Sequence, residues 1–239
     1  MKAKLFALFN SSLILLSYSV TTLADGNSID KVYHPYVVET EVEVEWRTLF
    51  QNDNDDTLDD QQVHRLGVGY GVTESLFAEF YLIGGRSPSD DFDIEAVEIE
   101  LLWQLTEQGE YDYDWGLLFE LEREIDNQVW EFSTGLLIEK EWGHWVGAAN
   151  LLVEYEWGND IEDEIETAAS FQLRYRYNAA FEPAVEFYQS EKTTGIGPVA
   201  MGNIRLGIAQ KLHWEFGVIF GLKSETPNQT IKASLEYEF

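Results

Sequence analysis

Residues 230–239 read T-I-K-A-S-L-E-Y-E-F. Ile231, Ala233, Leu235, Tyr237 and Phe239 alternate with Lys232, Ser234, Glu236 and Glu238, a period of two that gives a strand one apolar and one polar face. The apolar row runs to the terminal aromatic. Its partner row carries charge, so the two faces of this strand ask for different media.

The same alternation recurs upstream. A first strand over about 36–50 sets Val38, Thr40, Val42, Val44, Trp46 and Thr48 against Glu39, Glu41, Glu43, Glu45 and Arg47. Successive glutamates on one face are too many for a dry core, so that face must be wet. Further strands are expected at about 62–72, 76–83, 95–105, 113–124, 129–142, 145–157, 167–177, 181–189, 202–210, 214–223 and 230–239. The count of twelve is even, as a closed antiparallel ring with both termini on one side requires. Segments of about ten residues also suit a strand tilted across a bilayer. Most connections after odd-numbered strands are longer and richer in Asp, Gly and Pro. Residues 106–112 and the brief connection after the fifth strand break that rule.

Residues 1–24 have the form of a secretory signal: Lys2 and Lys4, an apolar run over 5–20, then Thr22-Leu23-Ala24 as a small-residue cleavage site. Residues 25–35 read as a short periplasmic lead before a barrel over 36–239. The chain holds 15 Lys+Arg against 44 Asp+Glu, a net charge of −29, and loss of the two signal lysines makes it more negative. Such a surface excludes nucleic acid as a partner. There are no cysteines, so neither a disulfide nor a thiolate metal site is available. Aromatics make up 14% of the sequence beside 25% charged residues, and strict alternation is a way to keep the two apart.

At this point the chain resembles the Gram-negative outer-membrane β-barrels, whose last strand ends in an aromatic with apolar residues two and four positions upstream, here Leu235, Tyr237 and Phe239. The resemblance implies an all-β fold, a single closed antiparallel transmembrane barrel of about twelve strands after a cleaved signal peptide, in the outer membrane. It also implies that the last strand is recognised by the barrel insertion machinery and that lipids and lipopolysaccharide surround the barrel. The pattern is similar to small porin-like barrels and, more loosely, to the outer-membrane family of MetA-pathway phenol degradation. The tryptophans fit this reading: Trp103, Trp115, Trp142, Trp145 and Trp214 are expected near the periplasmic strand ends, and Trp46, Trp130 and Trp157 near the outer ends, as two interfacial girdles. A soluble sandwich would place them mid-strand.

Pairing neighbouring hairpins about their turns predicts a lumen belt of carboxylates. Glu79 comes opposite Glu98, Glu98 or Glu100 opposite Glu120, and Glu122 opposite Glu131, within one step of two residues. Such a belt either draws cations into the lumen or is simply a solvated acidic wall. A basic wall is expected from Arg174 and Arg176, facing Glu182 and Glu186, with Arg205 beyond. Inward glycines at 67, 69, 71, 116, 207, 217 and 221 are expected to leave space, and Glu236 and Glu238 to face Glu39 and Glu41 across the closing seam.

The runs 52–56 and 160–166 are acidic, but the first lacks the Gly and distal Glu of an EF-hand, which favours solvated loops over cation sites. His34, His64, His144 and His213 show no paired-ligand spacing, and no G-x-S-x-G is present, so no metal, cofactor or catalytic residue is assigned. The sequence thus points to a channel for passive diffusion of small cationic or neutral solutes. The alternatives are a non-conducting structural or scaffold barrel and a lipid-modifying enzyme.

Overall fold

The structure is a computed structural model and describes residues 29–54, 59–87, 91–126, 128–159 and 161–239. The signal segment 1–24, and parts of both acidic loops, lie outside these residues. The strands are β1 (Val42–Asn52), β2 (Gln62–Thr73), β3 (Leu76–Arg86), β4 (Asp93–Gln104), β5 (Asp114–Glu124), β6 (Val129–Trp142), β7 (Trp145–Gly158), β8 (Glu164–Tyr175), β9 (Glu182–Gln189), β10 (Thr194–Arg205), β11 (Lys211–Gly221) and β12 (Gln229–Glu238). Each pairs with its sequence neighbours, and β1 pairs with β12 to close an antiparallel barrel.

Alternation decides the two faces. On β2, Leu66, Val68 and Tyr70 point outward with about half their surface exposed, while Gly67 and Gly69 point in. The inward face is mixed. Glu45, Arg47, Glu98, Glu139 and Glu186 are buried there beside Tyr81, Leu118, Leu137 and Ile219. Much of this interior is therefore packed, and the glycines are part of the reason. A Cβ on Gly67 would strike Glu79 and Tyr81, and one on Gly69 would strike Phe77, so the space these glycines leave is filled by their neighbours. Gly207 lies beyond β10 in the turn.

Two strands depart from expectation. Val38 and Thr40 continue the alternation, yet β1 begins only at Val42 because the chain turns sharply before it. Thr40 has φ +65°, its N–H donates to the Gly71 carbonyl, and the Gly71 N–H donates to the Glu41 carbonyl. β10 begins at Thr194, inside a stretch whose Gly195, Gly197 and Pro198 read as loop. Pairing with β11 lapses at Gly197 and Pro198, where proline has no N–H to give, and resumes at Val199, while β9 pairs throughout.

The seam carries a related correction. Glu238 pairs with Glu43 and Glu236 with Glu45, rather than with Glu41 and Glu39, since residues 36–41 are not in the sheet. The outward row of β12 stands as expected: Leu235 and Phe239 are exposed, and Tyr237 stacks on Phe239 with centroids 5.4 Å apart.

Candidate functional site

Residues 29–37 run through the lumen, where the sequence suggested a lead outside the barrel. Apolar side chains anchor them at two levels. Ile29 and Val32 pack with Tyr188, Val199, Met201 and Ile219, and Tyr33 packs with Phe77, Leu102, Leu118 and Leu137. Between these, polar bonds reach strands around the ring. Arg47 donates to Asp30 at 2.9 Å, and Lys31 lies 3.2 Å from Glu45 and 3.6 Å from Glu236. The Tyr33 hydroxyl donates to Glu100 at 2.8 Å and reaches Glu120 at 3.3 Å. His34 contacts Glu139, and the Tyr36 hydroxyl donates to Asp114 at 2.8 Å. Burial, followed by the negative field of Glu139, holds the Tyr36 phenol well above its ordinary range, so it stays a donor.

The wall is shaped to admit this segment. A Cβ on Gly116 would come within 2.8 Å of Pro35, and one on Gly71 within 2.0 Å of the Val38 carbonyl oxygen. At these two positions glycine permits a close approach that any side chain would block.

The register brings the carboxylates together. Glu79 pairs with Glu100, Glu100 with Glu120, Glu98 with Glu122 and Glu122 with Glu131, and the row continues to Glu156 on β7. Sequence reasoning did not foresee what faces them. Arg65 of β2 lies 2.5 Å from Glu98, 3.8 Å from Glu122 and 3.5 Å from Asp30, with Arg47 and Lys31 close by. Both arginines sit on inward positions of the alternation, which is the signal that would have flagged them.

The basic residues on the far side scatter. Arg174 pairs with Glu182 at 3.3 Å. Arg176 lies just beyond β8 and forks onto Glu141 of β6 with two contacts of 2.6 Å, and Arg205 ends β10 exposed, opposite Lys211. Glu186 is instead bonded by Lys232, 2.8 Å away, and by Gln172. The buried cation of this wall is therefore Lys232 on β12, which also lies 2.7 Å from Glu215 and donates to the Asp30 carbonyl at 2.6 Å.

Tryptophans 103, 115, 142 and 145 lie at the strand ends shared by the start of β1 and the end of β12, and Trp130 stacks with Trp157 at the opposite end. Trp46 and Trp214 both pair with Leu235, so they share one cross-strand row and are not at opposite ends. The late start of β1 is the cause. Of the histidines, His64 sits outside among the rings of Trp46, Phe50 and Phe92, His144 meets Tyr175 at a turn, and His213 bonds Asn203 inside.

The segment divides the lumen. A cavity of about 300 Å³ lies toward the start of β1 and the end of β12 and is lined by Glu41, Glu43, Glu45, Glu100, Glu236 and Glu238 among others. A second, of about 210 Å³, is lined by Glu95, Glu98, Glu120, Glu122, Glu131 and Glu154 with Arg65. Lys31 and Tyr33 line both, so they form the partition.

A closed ring of twelve antiparallel strands, with charge inside and a continuous apolar surface outside, is an outer-membrane-type β-barrel. Solved structures agree on the fold. The chain is similar to a KdgM porin in complex with disordered oligogalacturonate, with TM-score 0.52 at 10% identity over 82% of this chain and 98% of that one. It is similar to an outer-membrane channel from Pseudomonas putida F1, with TM-score 0.52 at 14% identity over 89% and 97%. It is also similar to the β domain of the Bordetella autotransporter BrkA, with TM-score 0.56 at 12% identity over 84% and 99%. No protein-family model and no curated protein matches the chain.

Proposed function

We propose that this protein is an outer-membrane channel of a Gram-negative bacterium for passive diffusion of small cationic or neutral solutes, held shut by its own N-terminal segment. The observation that carries the reading is the partition at Lys31 and Tyr33, with an acidic cavity on either side. A barrel built only as a scaffold has no need of two wet acidic chambers in line. Two of the similar structures are named as a porin and a channel, which supports the same class. Outer-membrane lipid and lipopolysaccharide would contact the apolar exterior and the tryptophan girdles, and the β12 row ending at Phe239 would serve the insertion machinery. The narrower likeness to the MetA-pathway family rests on strand pattern alone.

Planar-bilayer recording tests the reading. The full chain should pass little current, and a variant lacking residues 29–37 should open a steady, cation-preferring pore. Replacing Glu98, Glu100, Glu120 and Glu122 by Gln in that variant should move the reversal potential toward zero in a salt gradient. A folded deletion variant with no current would overturn the channel and leave the scaffold reading. That second reading draws its support from the packed waist, where Tyr81, Leu118 and Glu186 have no exposed surface. A lipid-modifying enzyme is less supported, since the outward His64 is enclosed by aromatic rings.

A further inference from the structure

We propose that Glu98, Glu100 and Glu120 form a calcium site at the waist of the lumen, and that the ion competes with the Tyr33 hydroxyl for two of the three carboxylates. One oxygen of each lies within 4.8 Å of the others. Calcium takes carboxylate oxygens at about 2.3–2.6 Å, so oxygens on opposite sides of one ion are at most about 5 Å apart. Three oxygens so placed can converge on a single ion through side-chain shifts of a few tenths of an ångström, without moving the strands that carry them.

The second observation is on Glu98. It is 3% exposed, its Oε2 accepts from Arg65 at 2.5 Å, and its Oε1 is buried with no hydrogen-bond partner. A buried carboxylate oxygen left without a donor is costly. A cation would satisfy it. Glu100 and Glu120 share one Tyr33 hydroxyl, which has a single proton to give, and of the two only Glu120 has Ser133 as a further donor. Glu79, Glu122 and Glu131, next in the cross-strand rows, add negative charge that Arg65, Arg47 and Lys31 offset in part.

Access and hydration are provided from both sides. Glu98 and Glu120 line the cavity of about 210 Å³ and Glu100 lines that of about 300 Å³, so waters can complete the coordination. Calcium suits this irregular set better than magnesium, which demands a near-octahedral shell and keeps its waters. Occupation would withdraw Glu100 and Glu120 from Tyr33 and so loosen the segment at its central anchor.

Isothermal titration of the folded full chain in detergent with calcium chloride tests this, independently of whether the barrel conducts. One saturable site is expected, weaker for magnesium, with affinity falling by roughly tenfold or more in Glu98→Gln and in Glu120→Gln. Tyr33→Phe, which removes only the hydroxyl, should tighten calcium. Gln at Glu164 and Glu166, in a separate acidic group with Glu191, should change nothing. Absence of saturable binding, or equal losses from the Glu164 and Glu166 changes, would overturn the site. Unchanged affinity in Tyr33→Phe would overturn the competition. If Glu98→Gln does not fold, Glu120→Gln and Tyr33→Phe decide the matter.

Discussion

Asn150 of β7 holds Tyr33 by both sides of its peptide: its Oδ1 accepts from the Tyr33 N–H at 2.7 Å, and its Nδ2 donates to the Tyr33 carbonyl at 2.9 Å. A side-chain amide thus does for one residue what a neighbouring strand does for many. Asn150 is fully buried, so no water can replace either bond in place. Asn150→Asp keeps the shape but turns the donor into an acceptor facing a carbonyl. A buried group left unsatisfied costs about 1–3 kcal/mol, which is roughly a 5- to 150-fold gain in the population of the displaced segment. Open probability in bilayers, and protease access at Lys31, should both rise.

Arg65 is the cation that the glutamate rows share. Its contacts with Glu98, Glu122 and Asp30 tie two strands and the lumen segment to one guanidinium. Removing one partner of such a buried set typically costs about 3–5 kcal/mol, because the remaining charges stay in place. Arg65→Met should lower the urea midpoint of the barrel accordingly. In a Glu98→Gln background the same change should cost less, and equal costs in the two backgrounds would show that the pair is not coupled.

Thr40 occupies the left-handed region at φ +65°, where a β-branched residue is an outlier. Such a position costs about 1–3 kcal/mol, and glycine removes that cost while adding about 0.5–1 kcal/mol of unfolded-chain freedom. Thr40→Gly should therefore stabilise the barrel by about 1 kcal/mol in a denaturant series. Thr40→Val should not.

Glu41 gives the pH dependence a sign. Burial first, then a hydrogen bond and the charge of Glu238, raise its carboxyl from 4.5 to about 7, against the pull of Lys211. The folded protein thus binds this proton more tightly than the unfolded chain does. The resulting stabilisation is complete below about pH 4.5 and is lost as pH climbs through about 7. Melting temperature should fall over that window, and Glu41→Gln should flatten the fall.

Strand identity was legible wherever the period of two ran unbroken: β6 begins and ends at the expected residues, and most other strands within two or three. Where it failed, local chemistry misled. Gly195, Gly197 and Pro198 look like a loop because a strand rarely carries them, yet pairing with β9 holds them in the sheet. Glu39 and Glu41 extend the first strand's pattern, but Thr40 and Gly71 turn the chain inward there. The carboxylate row was legible because cross-strand register follows from turn position. Its counter-charges were less so, since Lys31 comes from a segment with no periodicity and meets Glu45 and Glu236 through tertiary packing alone. A hint was present: Ile29, Val32 and Tyr33 are costly to leave in water, and they flank a lysine in a strongly acidic chain.

The pairing of β1 with β12 sets Glu43 against Glu238, while every other pairing joins consecutive strands. Loop-closure entropy grows only with the logarithm of length, so the chain meets one long-range closure among many short ones. Residues 29–37 precede β1 and end bonded to Lys232 of β12 and Tyr188 of β9. Asp30 accepts from Arg47 of β1 through its carboxylate and from Lys232 of β12 through its carbonyl, so the segment staples the seam from within. Drawing it out of the bore would also unfasten the ring's one long-range join.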